Sequence, residues 1–233
     1  MLLNEFNALY VHIPKAAGQS IENFFLTELN KTRKENGKDH LLRFNNDSAK
    51  GPERLAHLTA SDYVNYNYLT KDEFNKLYKF SIVRNPWTRM ISFYKYLGFS
   101  TLISFNDFIT RFLPYYFENQ HWFFRPQVDF IYEENTMILD FVGKLEQLND
   151  DFKVVANHLN LNFESLPKNN HSIEKGLISR KSFNLIKKHP SILKNFKLSP
   201  NNKSNYKQLY NSSSRNIVEK LYEKDIDLLK YTF

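Results

Sequence analysis

The feature that most constrains this chain is a change of period between residues 8 and 29. Ala8-Leu9-Tyr10-Val11-His12-Ile13 is a short β-prone run, Pro14-Lys15-Ala16-Ala17-Gly18 interrupts it, and Ile21, Phe24, Phe25 and Leu29 then recur at helical spacing. A strand that turns tightly into a helix leaves the helix's first N–H groups without partners, and the helix dipole adds partial positive charge there. Such a loop is a natural anion site. Lys15 adds a mobile charge, Ala16, Ala17 and Gly18 are small enough for a phosphate to reach the backbone, and Gln19 and Ser20 offer side-chain donors. A kinase-type phosphate loop would place a lysine after its last glycine, whereas Gln19-Ser20 follows Gly18 here. An ordinary turn between strand and helix is the other reading of these residues.

The pattern returns downstream. Leu77 to Val83 reads as a second strand, and Asn85-Pro86 supplies a cap and first-turn proline for a helix through Met90, Phe93, Tyr94 and Leu97. Arg84 then stands at a strand end, with Arg89 and Ser92 on the following helix. Arg84 with Ser92 forms a candidate second phosphate site, or else Arg84 pairs with a carboxylate and Ser92 packs within the helix. Residues 31–54 read as a polar surface excursion, and 99–135 as aromatic-rich helices that supply core. Thr136 to Val142 reads as a third strand. Asn149-Asp150-Asp151 caps a helix with Phe152, Val155 and Leu159 on its apolar face, and a closing helix from about Ser213 carries Ile217, Leu221 and Leu228. Strands alternating with helices predict an α/β, P-loop-like three-layer fold with a small central parallel sheet flanked by helices. One domain, 1–233, is expected, with the segment 165–233 part of it.

Composition narrows the function classes. With 42% hydrophobic and 24% charged residues among 233, the chain is neither disordered nor collagen-like nor a coiled coil. The lack of cysteine excludes disulfides, thiolate-ligated zinc and thiolate catalysis. Glu5 interrupts the stretch where a secretory signal needs apolar residues, and no apolar run approaches the ~18 residues of a spanning helix, so a cytoplasmic protein is expected. The net charge of +7 is uneven. Between Lys168 and Arg215 the only acid is Glu174, which suggests either an anionic partner or simply a solvated helical surface. Nothing resembles a nucleic-acid-binding motif.

His12-Ile13-Pro14-Lys15-Ala16-Ala17-Gly18-Gln19-Ser20-Ile21 and Val83-Arg84-Asn85-Pro86-Trp87-Thr88-Arg89-Met90-Ile91-Ser92-Phe93-Tyr94 together resemble the two nucleotide-binding signatures of sulfotransferases. The likeness is strongest to the carbohydrate branch, which includes heparan sulfate 2-O-sulfotransferases and bacterial relatives. It continues through His57-Leu58-Thr59-Ala60, Arg125-Pro126-Gln127, Phe141 to Glu146 and the ending Leu221-Tyr222-Glu223-Lys224-Asp225-Ile226-Asp227, and so spans nearly the whole chain.

The resemblance implies 3′-phosphoadenosine 5′-phosphosulfate (PAPS) as sulfuryl donor, its product PAP, and no metal. The loop Lys15 to Ser20 would wrap the 5′-phosphosulfate, with Lys15 stabilising the leaving phosphate, and Arg84 with Ser92 would bind the 3′-phosphate. Ala16 and Gln19 replace two threonines of the usual loop, which removes two hydroxyl donors. His57 is the expected base, since an imidazole titrates near pH ~6.5 and can take the proton of an attacking hydroxyl. His12 is expected to pack or to position the loop. Gln127 and Glu146 are candidates for ligand contact or else helix-capping polar residues, and Ser172 and Lys175 are candidates for further nucleotide contacts. A carbohydrate or small-molecule acceptor, itself anionic, suits the basic C-terminal segment. Two other functions stand beside this one. A P-loop nucleotide kinase or triphosphatase needs a metal-binding carboxylate at a strand end, for which Asp140 is the candidate. A non-catalytic binder of anionic glycan or nucleic acid would use Lys168 to Arg215.

Overall fold

The computed structural model describes residues 1–166, 180–196 and 205–233. The expected fold class is what the structure shows: an α/β molecule with a small, largely parallel central sheet flanked by helices. The strands are β1 (Leu2–Leu3), β2 (Ala8–Val11), β3 (Tyr78–Val83), β4 (Tyr132–Glu133), β5 (Thr136–Met137) and β6 (Phe141–Lys144). The sheet runs β1-β2-β3-β6, with β1 antiparallel to β2 and the other two pairings parallel. The helices used below are α1 (Gly18–Glu28), α2 (Pro86–Leu97), α3 (Leu148–His158) and α4 (Ser212–Leu221).

Contacts divide the chain into two compact units, 1–84 with 125–169 and 85–124 with 170–233. In the first, alternation along the strands turns Tyr10, Phe80 and Ile82 to one face, where they pack with Phe24 and Phe25 of α1 and Phe152 and Val155 of α3. The Phe24 and Phe152 rings meet edge to face, 5.1 Å between centroids. Because β2 and β3 are parallel, with Val11 beside Ser81, both end on the same side of the sheet. His12 and Arg84 follow those ends directly. In the second unit, Asn85 caps α2 by accepting from the Trp87 and Thr88 amides, Pro86 occupies the first turn, and Gly98 at φ 93° ends the helix. The Tyr210 hydroxyl donates to Trp87 O, and that of Tyr222 to Phe124 O, so the chain's last helices are tied to its aromatic region.

Four expectations change. The third strand is not Thr136 to Val142: Thr136–Met137 forms a hairpin with Tyr132–Glu133, and the sheet strand is Phe141–Lys144. Asp140 exchanges bonds with Lys79 there, and Gly143 permits the close approach, because a β-carbon on it would come 2.7 Å from Ile82 Cδ1 and 2.8 Å from Asp151 Cβ. The helix after it starts at Leu148, and it is Asp151 that reaches back to accept from Lys144 N. The 31–54 excursion is not all surface, since His40, Leu41 and Leu42 are buried. Leu228 is exposed, because the closing helix breaks at Tyr222 and the next turn buries Asp225 and Leu229 instead. Ser172 and Lys175 lie outside the described residues, as does much of the Lys168 to Arg215 stretch.

Candidate functional site

The loop that follows β2 has an unusual path. Lys15 and Ala17 lie at φ 66° and 67°, in the left-handed region that side-chain-bearing residues rarely occupy, while Ala16 between them does not. Alternating hand turns consecutive N–H groups to one side and makes an anion-binding concavity. Ala17 is the N-cap of α1 and its carbonyl takes the Ser20 and Ile21 amides at 3.0 and 3.3 Å. The amides of Gly18 and Gln19, in the first turn of that helix, have no intrahelical acceptor. Ala16, Gly18 and Ser20 are buried, Lys15 and Ala17 partly so, and Gln19 is exposed.

Beneath this loop lies His12. An ideal β-carbon on Gly18 would come 1.7 Å from His12 Nε2, so glycine is required here by the imidazole under it. His12 Nδ1 is 2.6 Å from Glu22 Oε1, and Glu22 is fully buried on α1. The other Glu22 oxygen accepts from Arg33, whose second nitrogen donates to Leu42 O at 3.2 Å. Burial pushes the Glu22 carboxyl up, but the interaction and hydrogen bond with His12 and the Arg33 guanidinium outweigh it and hold it below the usual range. An ionised carboxylate only accepts, so His12 Nδ1 carries a proton.

His57 ends the short 3-10 turn Leu55–His57 and is buried. Its Nδ1 lies 3.0 Å from the His12 carbonyl oxygen, and its ring meets the His12 ring edge-on at 4.5 Å. Because a carbonyl only accepts, Nδ1 carries the proton of the neutral ring and Nε2 the lone pair. Burial, and next the neighbouring His12, push the His57 pKa well below the ordinary histidine value. At pH 7 His57 is therefore a neutral imidazole able to accept a proton through Nε2.

Arg84 follows β3, with its main chain held at both ends by the fully buried Gln127. Gln127, a candidate for ligand contact or a helix cap, clamps the Arg84 backbone. The Arg84 guanidinium donates to Lys15 O at 3.2 Å, which brings the second signature's arginine to the first signature's loop. Glu146 is exposed in the turn after β6. Ser92 is half-buried on α2 of the second unit, where Arg89 is wholly buried against the Phe93 and Tyr222 rings. Asp140 precedes β6 and pairs with Lys79 at 2.9 Å, at the amino end of the parallel strands and therefore away from the loop.

A family model described as the sulfotransferase family matches residues 3–232. The chain belongs to that family. The match runs through both compact units and includes every residue of the candidate site. Comparison with curated proteins and with solved structures gives no match. Among the described residues no helix of this sulfotransferase-family chain is long and apolar enough to cross a membrane.

Two of the site's members were not among the sequence candidates. Glu22 left a faint signal, an acid beside Ile21, Phe24 and Phe25 at a helix position that packing alone would give to a hydrophobic residue, and Arg33 left none.

Proposed function

We propose that this sulfotransferase-family chain transfers a sulfuryl group from PAPS to a hydroxyl of a carbohydrate acceptor, as in the carbohydrate branch it resembles. The observation that carries this reading is the backbone path from Lys15 to Gly18, whose alternating hand and helix start suit the 5′-phosphosulfate of the donor. When bound, the donor supplies an activated sulfuryl group. The chain's own residues do the rest. Ala17, Gly18 and Gln19 offer main-chain amides to its oxygens, and Lys15 offers positive charge where the bridging oxygen gains electrons as its bond to sulfur breaks. His57 Nε2 takes the acceptor's proton while the acceptor oxygen forms the new bond to sulfur. Arg84 and Ser92 are assigned to the 3′-phosphate on the strength of the Val83 to Tyr94 signature alone. Positioning and charge account for most of the rate in such in-line transfers.

The kinase alternative loses support from Asp140, which pairs with Lys79 at the far end of the strands. The test is calorimetric titration of the full chain with PAP and with ADP, in chelator. PAP should bind more tightly than ADP, and Arg84→Ala should remove the preference. His57→Ala should then keep PAP binding and lose sulfuryl transfer to a panel of saccharides. Preference for ADP, or binding of neither, overturns the donor assignment. Transfer undiminished in His57→Ala overturns the base.

A further inference from the structure

Glu22 is a fully buried carboxylate that no step of the proposed reaction uses. A buried charge is costly unless paired, and here the pairing is specific: one oxygen to His12 Nδ1, the other to Arg33. His12 in turn serves two partners with two different parts of itself. Its ring fills the space under Gly18, where not even a methyl group fits, and its carbonyl accepts from His57 Nδ1. The donor loop and the candidate base thus rest on the same residue, and Glu22 is what fixes that residue's ring.

We infer that Glu22 is the positioning residue of the donor loop, acting through His12 to hold the Gly18 and Gln19 amides in their anion-binding arrangement. Without the carboxylate, the imidazole loses the partner that sets its tautomer and its rotation about Cβ–Cγ. A ring free to tilt no longer supports the loop along one surface. Glu22 touches neither donor nor acceptor in this scheme, so it is not a catalytic residue. The inference rests on the loop being the donor site, but its structural half can be read without any ligand.

The experiment compares wild type, Glu22→Gln and Glu22→Leu as full chains. Two-bond 15N–1H correlation spectra report the His12 tautomer, amide shifts report Gly18 and Gln19, and calorimetry reports PAP affinity. Glutamine keeps an acceptor for His12 Nδ1, so Glu22→Gln should retain the Nδ1-protonated signature and bind PAP within about threefold of wild type. Glu22→Leu should lose the signature, shift both loop amides and weaken PAP binding at least tenfold. If Glu22→Leu is folded and loses the signature, yet leaves the amides and the affinity unchanged, Glu22 does not position the loop. Should Glu22→Leu fail to fold, the wild-type spectrum decides: a His12 Nδ1 without a proton overturns the inference, and a proton there with Glu22→Gln near wild type supports it. If wild type does not bind PAP, the donor assignment falls, and the amide shifts alone judge the role of Glu22.

Discussion

The Gln127 carboxamide brackets the Arg84 peptide, accepting from its N–H at 2.8 Å and donating to its C=O at 2.7 Å. Both backbone groups sit where β3 has just ended. Gln127→Ala should remove both bonds and cost about 1–3 kcal/mol of stability. Chemical denaturation of the variant checks this. PAP affinity should fall with it, since the Arg84 guanidinium is aimed by the same peptide.

Gly18 cannot accept a methyl group while the His12 ring stays in place. Gly18→Ala should weaken PAP binding at least tenfold in the wild-type background and far less in His12→Ala, where the ring is gone. Calorimetry of the four proteins completes the cycle. Equal losses in both backgrounds would show that the ring is not what excludes the side chain.

Ala17 holds a left-handed backbone at φ 67° that costs an L-residue about 1–2 kcal/mol. Glycine removes that strain but frees the unfolded chain by about 0.4–1 kcal/mol. Ala17→Gly should therefore stabilise the fold by up to about 1.6 kcal/mol, read as a rise in the urea midpoint at constant slope.

His57 is held neutral below the ordinary histidine pKa. The unfolded chain takes up this proton as pH falls through about 6.5 and the folded chain does not, so the unfolded state binds more protons in that window. Stability should decline on acidification from pH ~6.5 toward the folded value, by at most about 1.4 kcal/mol per pH unit from this group. The decline should be shallower in His57→Asn. By the same sign, the acid limb of the rate profile should lie below pH ~6.5, and a limb at or above that value would remove His57 as the base.

The strands and helices that position the site were legible because each has a local cause: the β-prone run at 8–13, the Asn85-Pro86 cap, the apolar spacing of Phe152 and Val155. The third strand was misplaced because Met137, Ile138 and Leu139 look more strand-like than Phe141 to Lys144, while pairing is decided by Asp140 locking to Lys79 and by the small Gly143. Within the candidate site, the place of the loop between strand and helix and of Arg84 at a strand end could be read from residue types. The His12–Glu22–Arg33 chain could not, because it joins residues 12, 22 and 33 across a strand, a helix and what read as surface. Gln127 was noticed but left between ligand contact and helix cap, since no sequence pattern identifies a side chain that binds a peptide plane.

The left-handed turns at Lys15 and Ala17 bear on how such a site ages. Side chains can be exchanged one at a time, and Ala16 and Gln19 stand where the signature this loop resembles has threonines, but whatever the main-chain amides contribute is inherited with the route of the chain. On the proposed reading, a lineage that lost His57 would give up transfer and keep the amide contacts to sulfated or phosphorylated ligands.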